Sequence, residues 1–227
     1  MTSLEDELER ARALETDALA DAIESIGFEC TRCGACCTRE ETDSGTEPHT
    51  ATVFPDEVRA VQEAVAERDG EEPEWRDVAR PMPFGLSEGE DGPEGETFEW
   101  ALQTDSCGDC VFYEESDGLG ACTVHEDRPL ICATYPFSVA LEGTSQPMGE
   151  AVDEEGVVRA HECEGLGRDI SREEAEELAA ALKERAVREL EEAIAVRENY
   201  EPADPAPGEV VVHDSEGRKA GDGTPLE

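Results

Sequence analysis

Residues 28–37 read Phe28-Glu29-Cys30-Thr31-Arg32-Cys33-Gly34-Ala35-Cys36-Cys37 and place four cysteines within eight positions. Cysteines separated by two residues suit a metal ion, because a short turn lets both thiolates reach it. Gly34 can supply such a turn. Further along the chain lie Cys107, Cys110, Cys122, Cys132 and Cys163. The pattern predicts metal or cluster binding, with ligands from distant segments that converge only in the folded chain.

The composition is strongly acidic. The chain of 227 residues has 59 acidic and 18 basic residues, a formal net charge of −41 and only two lysines. Acid spread along a whole chain is typical of proteins from extreme halophiles, in which high salt screens the self-repulsion. The negative electrostatic potential of these side chains would repel nucleic-acid phosphates over most of the surface, so we expect no nucleic-acid partner.

The compartment is expected to be the cytoplasm. No apolar stretch approaches the length of a membrane span, and the acidic N-terminus lacks the features of a secretory signal. We therefore expect no membrane partner. Clustered thiols in a reducing compartment are more often bound to metal than joined in disulfides, and the odd count of nine cysteines favours the same interpretation.

The periodicity predicts an α+β fold, a small irregular domain with short strands stapled by metal. An N-terminal helix is expected within residues 1–27, capped by Ser3, and a second helix should run from Pro55 to about Gly70. The cysteine-cluster domain is assigned to 28–170, with a long loop over 71–96. A long amphipathic helix is predicted within 171–200, where Ser171 and Glu174 form a capping box. The acidic segment 201–227 is expected to be mostly disordered, although its valines could pair with a sheet edge.

The cysteine motifs follow one another in a recognisable order. They are Phe28-x-Cys30-x-x-Cys33-Gly34-x-Cys36-Cys37, Cys110, Cys122-x5-Arg128-Pro129-x-x-Cys132, Tyr135-Pro136 and Cys163-x-Gly165-x-Gly167. This series resembles the YkgJ-type cysteine-cluster family, with its CxxCxxCC motif, for which zinc or iron chelation is proposed. The resemblance implies zinc, iron or a 4Fe–4S cluster as cofactor. It implies as ligands the family-type cysteines Cys30, Cys33, Cys36, Cys37, Cys110, Cys122, Cys132 and Cys163, whereas Cys107 falls outside the pattern.

Several arrangements of these thiolates are open. They could form two four-sulfur zinc sites, or four could hold one 4Fe–4S cluster. Cys36 and Cys37 are neighbours whose side chains diverge in extended backbone, so each could serve a different site. The sequence thus predicts a protein that chelates zinc or iron, whose ligand is the metal ion and whose protein partner is not indicated. The alternative is an iron–sulfur protein in electron transfer, or a redox or protein-modifying enzyme.

Other side chains near the cysteines have less specific signals. Arg128 could donate hydrogen bonds to thiolates or pair with one of many carboxylates. His125 and His161 are expected to be surface or packing residues more often than ligands. If the protein is an enzyme, Arg128, His125 and Tyr135 are the polar groups expected to line a pocket beside the cluster.

Overall fold

The computed structural model describes residues 2–42, 45–90, 92–147 and 149–226. The helices in these ranges are α1 (Leu4–Arg12), α2 (Thr16–Ile26), α3 (Pro55–Asp69), α4 (Trp75–Val78), α5 (Leu130–Ala133) and α6 (Arg172–Asn199). The strands are β1 (Glu40–Thr42), β2 (Gly45–Glu47), β3 (Thr52–Val53), β4 (Ala79–Pro81), β5 (Ser87–Gly89), β6 (Gly92–Thr97), β7 (Trp100–Leu102), β8 (Tyr113–Ser116), β9 (Leu119–Cys122), β10 (Phe137–Val139), β11 (Ala151–Asp153), β12 (Val158–His161), β13 (Val210–Asp214) and β14 (Gly217–Ala220). The fold is α+β with small sheets, helices at its N-terminus and a long C-terminal helix, as the sequence predicts. None of the helices in the described ranges combines the length and the apolar content needed to cross a membrane.

The chain divides into two compact units, each assembled from three stretches. The first unit comprises Met1–Cys36, Glu114–Ala121 and Leu130–Ala193. The second unit comprises Cys37–Tyr113, Cys122–Pro129 and Ile194–Glu227. This division differs from the single domain expected over 28–170, because the cysteine-bearing segments contribute to both units. It depends on long-range contacts, which composition and local periodicity do not encode.

The N-terminal part of the first unit is helical, but it is two helices rather than one. The predicted cap is present, since the Ser3 hydroxyl accepts a hydrogen bond from the Asp6 amide. The chain then leaves the helix at Ala13 and begins α2 at Thr16. The carbonyl of Leu14 accepts a hydrogen bond of 2.7 Å from Lys183 Nζ on α6, a tertiary contact that replaces a helical one.

The first unit buries its helices against a three-stranded antiparallel sheet, in which β12 lies between β10 and β11. Phe137 on β10 meets the ring of Phe28 edge to face, with centroids 5.7 Å apart. The fully buried side chains of this unit include Leu19, Ile23, Phe137, Val158, Leu182 and Leu190. Burial of these apolar groups supplies the main driving force for the unit.

Arg185, which forms a buried ion pair within α6, also joins this helix by hydrogen bonds to the segment that follows α5. Arg185 Nε lies 2.9 Å from Glu189 Oε1, and both side chains are more than nine-tenths buried. Arg185 also donates to the Thr134 hydroxyl at 3.0 Å and to the carbonyl of Phe137 at 3.2 Å. Because Thr134 directly follows α5, this network fixes the end of the short helix that carries Cys132.

The second unit contains a mixed sheet that the sequence did not predict. Its strand order is β14-β13-β6-β5, and β13 runs parallel to β6 with Val211 opposite Glu96. The prediction of a long loop over 71–96 is therefore wrong, because this stretch contributes α4, β4, β5 and β6. The disorder expected over 201–227 is also wrong for β13 and β14, since pairing with β6 buries Val211 and Val212.

Two tryptophans organise the core of the second unit. Trp100 on β7 is buried and meets the ring of Trp75 with centroids 5.1 Å apart. Its indole nitrogen donates to Asp214 Oδ2 at 2.8 Å, and Lys219 Nζ lies 2.6 Å from the same oxygen. The C-terminal hairpin of β13 and β14 is thus joined to the core by a satisfied buried charge. The helix α3, which begins at Pro55 and ends before Gly70 as predicted, adds Val58 and Val61 to this core.

Candidate metal centre

All nine cysteines lie among the described residues, and none of them is in a disulfide. The first unit holds Cys30, Cys33, Cys36, Cys132 and Cys163, and the second unit holds Cys37, Cys107, Cys110 and Cys122. The neighbours Cys36 and Cys37 therefore belong to different units. Cys30 and Cys33 are exposed, while Cys36, Cys132 and Cys163 are partly buried.

The loop that carries Cys30, Cys33 and Cys36 is curled by two residues of positive φ. Gly34 has φ 81°, and Arg32 has φ 58°, in the left-handed region that costs energy for a residue with a Cβ. Arg32 is held there by Gly120, since its backbone carbonyl accepts from the Gly120 amide at 2.7 Å and its Nε donates to the Gly120 carbonyl at 2.9 Å. Sequence reasoning missed this role of Arg32, because no local signal distinguishes a left-handed arginine.

The loop that carries Cys163 packs against the start of this first loop. Phe28 and Leu166 form an antiparallel bridge, and the Glu29 amide donates to the Gly165 carbonyl at 3.0 Å. The two backbones approach so closely that a Cβ on Gly165 would lie 2.3 Å from the carbonyl oxygen of Glu29. Only glycine fits at position 165, and this close contact keeps Cys163 near Cys30.

The thiol of Cys163 is affected by its burial and by the three thiols of the first loop. Burial raises the pKa of the Cys163 thiol above its ordinary value, and the charges of Cys33, Cys36 and Cys30 raise it further. A hydrogen bond of 3.4 Å from the Gly165 amide to Cys163 Sγ acts in the opposite direction. Thiolates brought this close repel one another, and a bound cation would offset the repulsion. The donor chemistry therefore fits a thiolate-bound zinc or iron ion.

Tyr135 lies beside the same thiols. Its hydroxyl donates a hydrogen bond to the backbone carbonyl of Glu162. Burial raises the pKa of Tyr135 strongly, and the charges of Cys163, Cys36 and Cys33 add to that shift. Tyr135 is thus a protonated donor that anchors the residue before Cys163.

In the second unit, backbone hydrogen bonds bring three cysteine segments together. The Cys110 amide donates to the Cys37 carbonyl at 2.9 Å. The Thr123 amide, next to Cys122, donates to the Phe112 carbonyl at 2.8 Å. The segment of Cys110 is thus hydrogen-bonded directly to Cys37, and two residues further on, at Phe112, it is hydrogen-bonded to the neighbour of Cys122.

His49 lies against the turn before Cys110 and was not predicted as part of the site. Its amide donates to the Gly108 carbonyl at 2.8 Å, and its ring is buried. The ring Nδ1 has no hydrogen-bond partner among the described residues. Burial first, and then the charge of Arg80, lowers the pKa of His49 to about 4, against an opposing effect of Asp109. The imidazole is therefore neutral at physiological pH.

Within the described residues, no three Cys, His, Asp or Glu side chains are already grouped so that they could hold an ion. The loops are brought together by their backbones, but the thiols do not yet converge on one point. Binding therefore requires side-chain rotation, which is sterically easy for the exposed Cys30 and Cys33.

The remaining candidates have partners of their own. Arg128 contacts the ring Nε2 of His125, a partner that neither of its two predicted roles included. His125 in turn lies 3.2 Å from Glu126. His161 is buried, with Ser138 Oγ at 3.0 Å and the Gly149 carbonyl at 3.2 Å from its two ring nitrogens. Its contacts are those of a packing residue. The structure places Arg128 and His125 in the second unit and Tyr135 in the first.

Comparison with known proteins adds a family to this geometry. Residues 29–164 match the model of the CxxCxxCC family, which is described as a "Putative zinc- or iron-chelating domain". The match covers more than half of the chain and includes all nine cysteines. No curated protein and no solved structure gives a match.

Proposed function

We propose that this chain, which belongs to the CxxCxxCC family, chelates zinc or iron through cysteine thiolates. In the first unit the proposed ligands are Cys30, Cys33, Cys36 and Cys163. Cys132 is a further proposed ligand of this unit, three residues before Tyr135 in the sequence. In the second unit they are Cys37, Cys110 and Cys122. Each unit is proposed to bind metal with its own thiols.

The observation that carries this proposal is the backbone pairing of the two loops that bear Cys30, Cys33, Cys36 and Cys163, which lie far apart in sequence. Burial, and then the charges of the three cysteines of the first loop, raise the pKa of Cys163. The contact at Gly165 joins the two loops, and the contact at Gly120 holds the first loop in its curled conformation. Rotation of these thiolates toward one point is unfavourable without a cation and favourable with one.

The chemistry expected of such a centre follows from its ligands. Thiolates favour zinc and iron over hard cations, and each thiol that binds must lose its proton. A centre with four sulfur ligands is closed, so it would stabilise the fold or carry electrons rather than act as a Lewis acid. The metal bound by such a site would also contribute to folding, because it joins segments 28–37 and 163–167.

Several finer assignments belong to the same proposal. An iron–sulfur cluster on the same cysteines is the alternative to a simple metal ion, and it would suit electron transfer or a redox or protein-modifying enzyme. The acidic composition supports a halophilic source, and the odd number of clustered cysteines supports a cytoplasmic location.

The test is elemental analysis of protein purified without oxygen in high salt. Zinc or iron should copurify with the protein, and the share bound by the first unit should be lost when Cys33 and Cys163 are replaced by serine. Iron with matching acid-labile sulfide would select the cluster alternative, whereas zinc without sulfide would select simple chelation. Protein that is folded yet retains neither metal would overturn the proposal.

A further inference from the structure

The turn at residues 104–110 holds a cysteine pair that the family pattern does not use in full. Asp105 organises this turn, because its Oδ1 accepts the amide of Cys107 at 2.7 Å and the amide of Asp109 at 3.1 Å. The carbonyl of Asp105 accepts the amide of Gly108 at 3.1 Å, and Gly108 has φ 91°. The chain between Cys107 and Cys110 is therefore bent and held by several hydrogen bonds.

The two cysteines of this turn differ in their environments. Cys107 is exposed, whereas Cys110 is buried. Cys110 lies at the base of the turn, where it bridges Thr104 and where its amide donates to the Cys37 carbonyl. Cys-x-x-Cys is the spacing of redox-active cysteine pairs. The turn thus joins an accessible thiol to a protected one at that spacing.

We propose that Cys107 and Cys110 form a thiol–disulfide exchange site for small-molecule disulfides. The Cys107 thiolate attacks one sulfur of the small disulfide, a new sulfur–sulfur bond forms, and one small thiolate leaves. The Cys110 thiolate then attacks Cys107 Sγ, which forms the Cys107–Cys110 disulfide and releases the second small thiolate. The two protein thiols are oxidised, the small disulfide is reduced to two thiols, and the two cysteine protons end on those thiols.

The order of attack follows from exposure. A small disulfide can reach Cys107 from solvent, whereas the burial of Cys110 restricts its access. Once the mixed disulfide has formed on Cys107, Cys110 is the protein thiol that is tethered closest in sequence. The buried thiol therefore completes the reaction that the exposed one begins.

The consequence for metal binding rests on the proposed function, in which Cys110 is a ligand of the second unit. The exchange would withdraw Cys110 from the metal, because a disulfide sulfur is no longer a thiolate. Cys107, which lies outside the proposed ligands, would then link the redox state of the surroundings to metal retention. Oxidising conditions are expected to release metal from the second unit.

The test exposes the purified protein to oxidised glutathione, followed by acid quenching and alkylation of the remaining thiols. Cleavage after glutamate yields the fragment 100–114, which contains Cys107 and Cys110 and no other cysteine. In the wild type we expect this fragment to become two hydrogens lighter and to resist alkylation. In the variant Cys107→Ser, the glutathione adduct on Cys110 should form at least about tenfold more slowly than the wild-type disulfide.

The outcomes separate this proposal from the one on metal binding, because the fragment is measured whether or not metal is present. A fragment that stays fully reduced, or a link between Cys110 and Cys37, would overturn the exchange site. Zinc release measured with a chromophoric chelator should accompany oxidation, and in Cys107→Ser it should be smaller by the share of the second unit, because the exposed Cys30 and Cys33 of the first unit react in both proteins. Oxidation of the fragment without metal release would overturn the link to metal retention.

Discussion

Replacing Gly165 with alanine tests whether the contact between the two thiol-bearing loops of the first unit is essential. The added methyl group would lie 2.3 Å from the Glu29 carbonyl oxygen and 3.0 Å from a ring carbon of Phe28. Ordinary contact between such atoms begins near about 3.4 Å, so the two loops must move apart by about 1 Å. Backbone stands on both sides of this contact, so rotation of a side chain cannot relieve it.

The expected cost has two parts. Overpacking of this kind costs about 1–3 kcal/mol. Separation of the loops also weakens the hydrogen bonds from the Glu29 amide to Gly165 and from the Gly167 amide to Gly27, each worth about 1 kcal/mol. A total near 3 kcal/mol would lower the melting temperature of a chain of this size by about 6–12 °C. Metal affinity should fall by about tenfold or more, because half of that energy corresponds to one decade in a binding constant.

The assay is thermal unfolding in high salt, together with zinc competition against a chromophoric chelator. Gly221→Ala is the matched control, because its Cβ would meet Pro81 at 3.4 Å and Val210 at 3.7 Å, which are ordinary contacts. Its stability should change by less than about 0.5 kcal/mol. If Gly165→Ala matched this control in both melting temperature and zinc affinity, the close contact would have no role in holding the thiols.

Three other predictions concern charge. The pKa of His49 is lowered from 6.5 to about 4, so the stabilising contribution of its neutral ring is present above pH 6.5 and is lost as the pH falls toward 4. The free energy of unfolding should drop by up to about 3 kcal/mol across this window. The variant His49→Gln should show a smaller drop when both proteins are compared by denaturant titration. An equal slope in both proteins would refute this assignment. Lys219→Met leaves Asp214 buried without its cation and should lower the free energy of unfolding by about 3–5 kcal/mol. The control Arg76→Met, which breaks an exposed ion pair, should lower it by less than about 1 kcal/mol, and equal losses in the two variants would contradict this prediction. Finally, the charge of −41 predicts that multimolar salt raises the melting temperature, and a melting temperature that falls with salt would contradict it.

The elements that the sequence predicted well are those determined by local signals. The helix α6 begins at Arg172 and ends at Asn199, within the expected 171–200, because its capping box and apolar stripe are local features of this segment. The helix α3 likewise begins at Pro55 and ends before Gly70, two residues whose backbone preferences mark helix ends.

The errors occurred where a distant partner decides the conformation. The strand β6 lies in a stretch rich in glycine, proline and glutamate, and it is ordered by β13 from the C-terminal segment. The break between α1 and α2 involves Lys183, which no local pattern connects with Leu14. Contacts between segments that lie far apart in the sequence contribute nothing to the hydrophobic periodicity of either segment.

For the candidate site, the cysteine spacing indicated which thiols are candidate metal ligands but not how they are grouped. The sequence left open whether Cys36 and Cys37 serve different sites, and the structure assigns them to different units. The roles of Arg32 and Gly165 had no signal beyond residue type, because they depend on backbone contacts with Gly120 and Glu29. A spacing motif reports on local turns, whereas the convergence of loops depends on the whole fold.

The most direct measurement of the central claim is X-ray absorption at the edge of the metal that copurifies with the protein. Thiolate binding predicts a coordination shell of sulfur atoms, at about 2.3 Å if the metal is zinc. The number of sulfur atoms per metal should fall in Cys163→Ser and stay unchanged in Cys107→Ser. A shell of only nitrogen and oxygen near about 2.0–2.1 Å, or a sulfur count that Cys163→Ser leaves unaltered, would contradict thiolate binding by these loops.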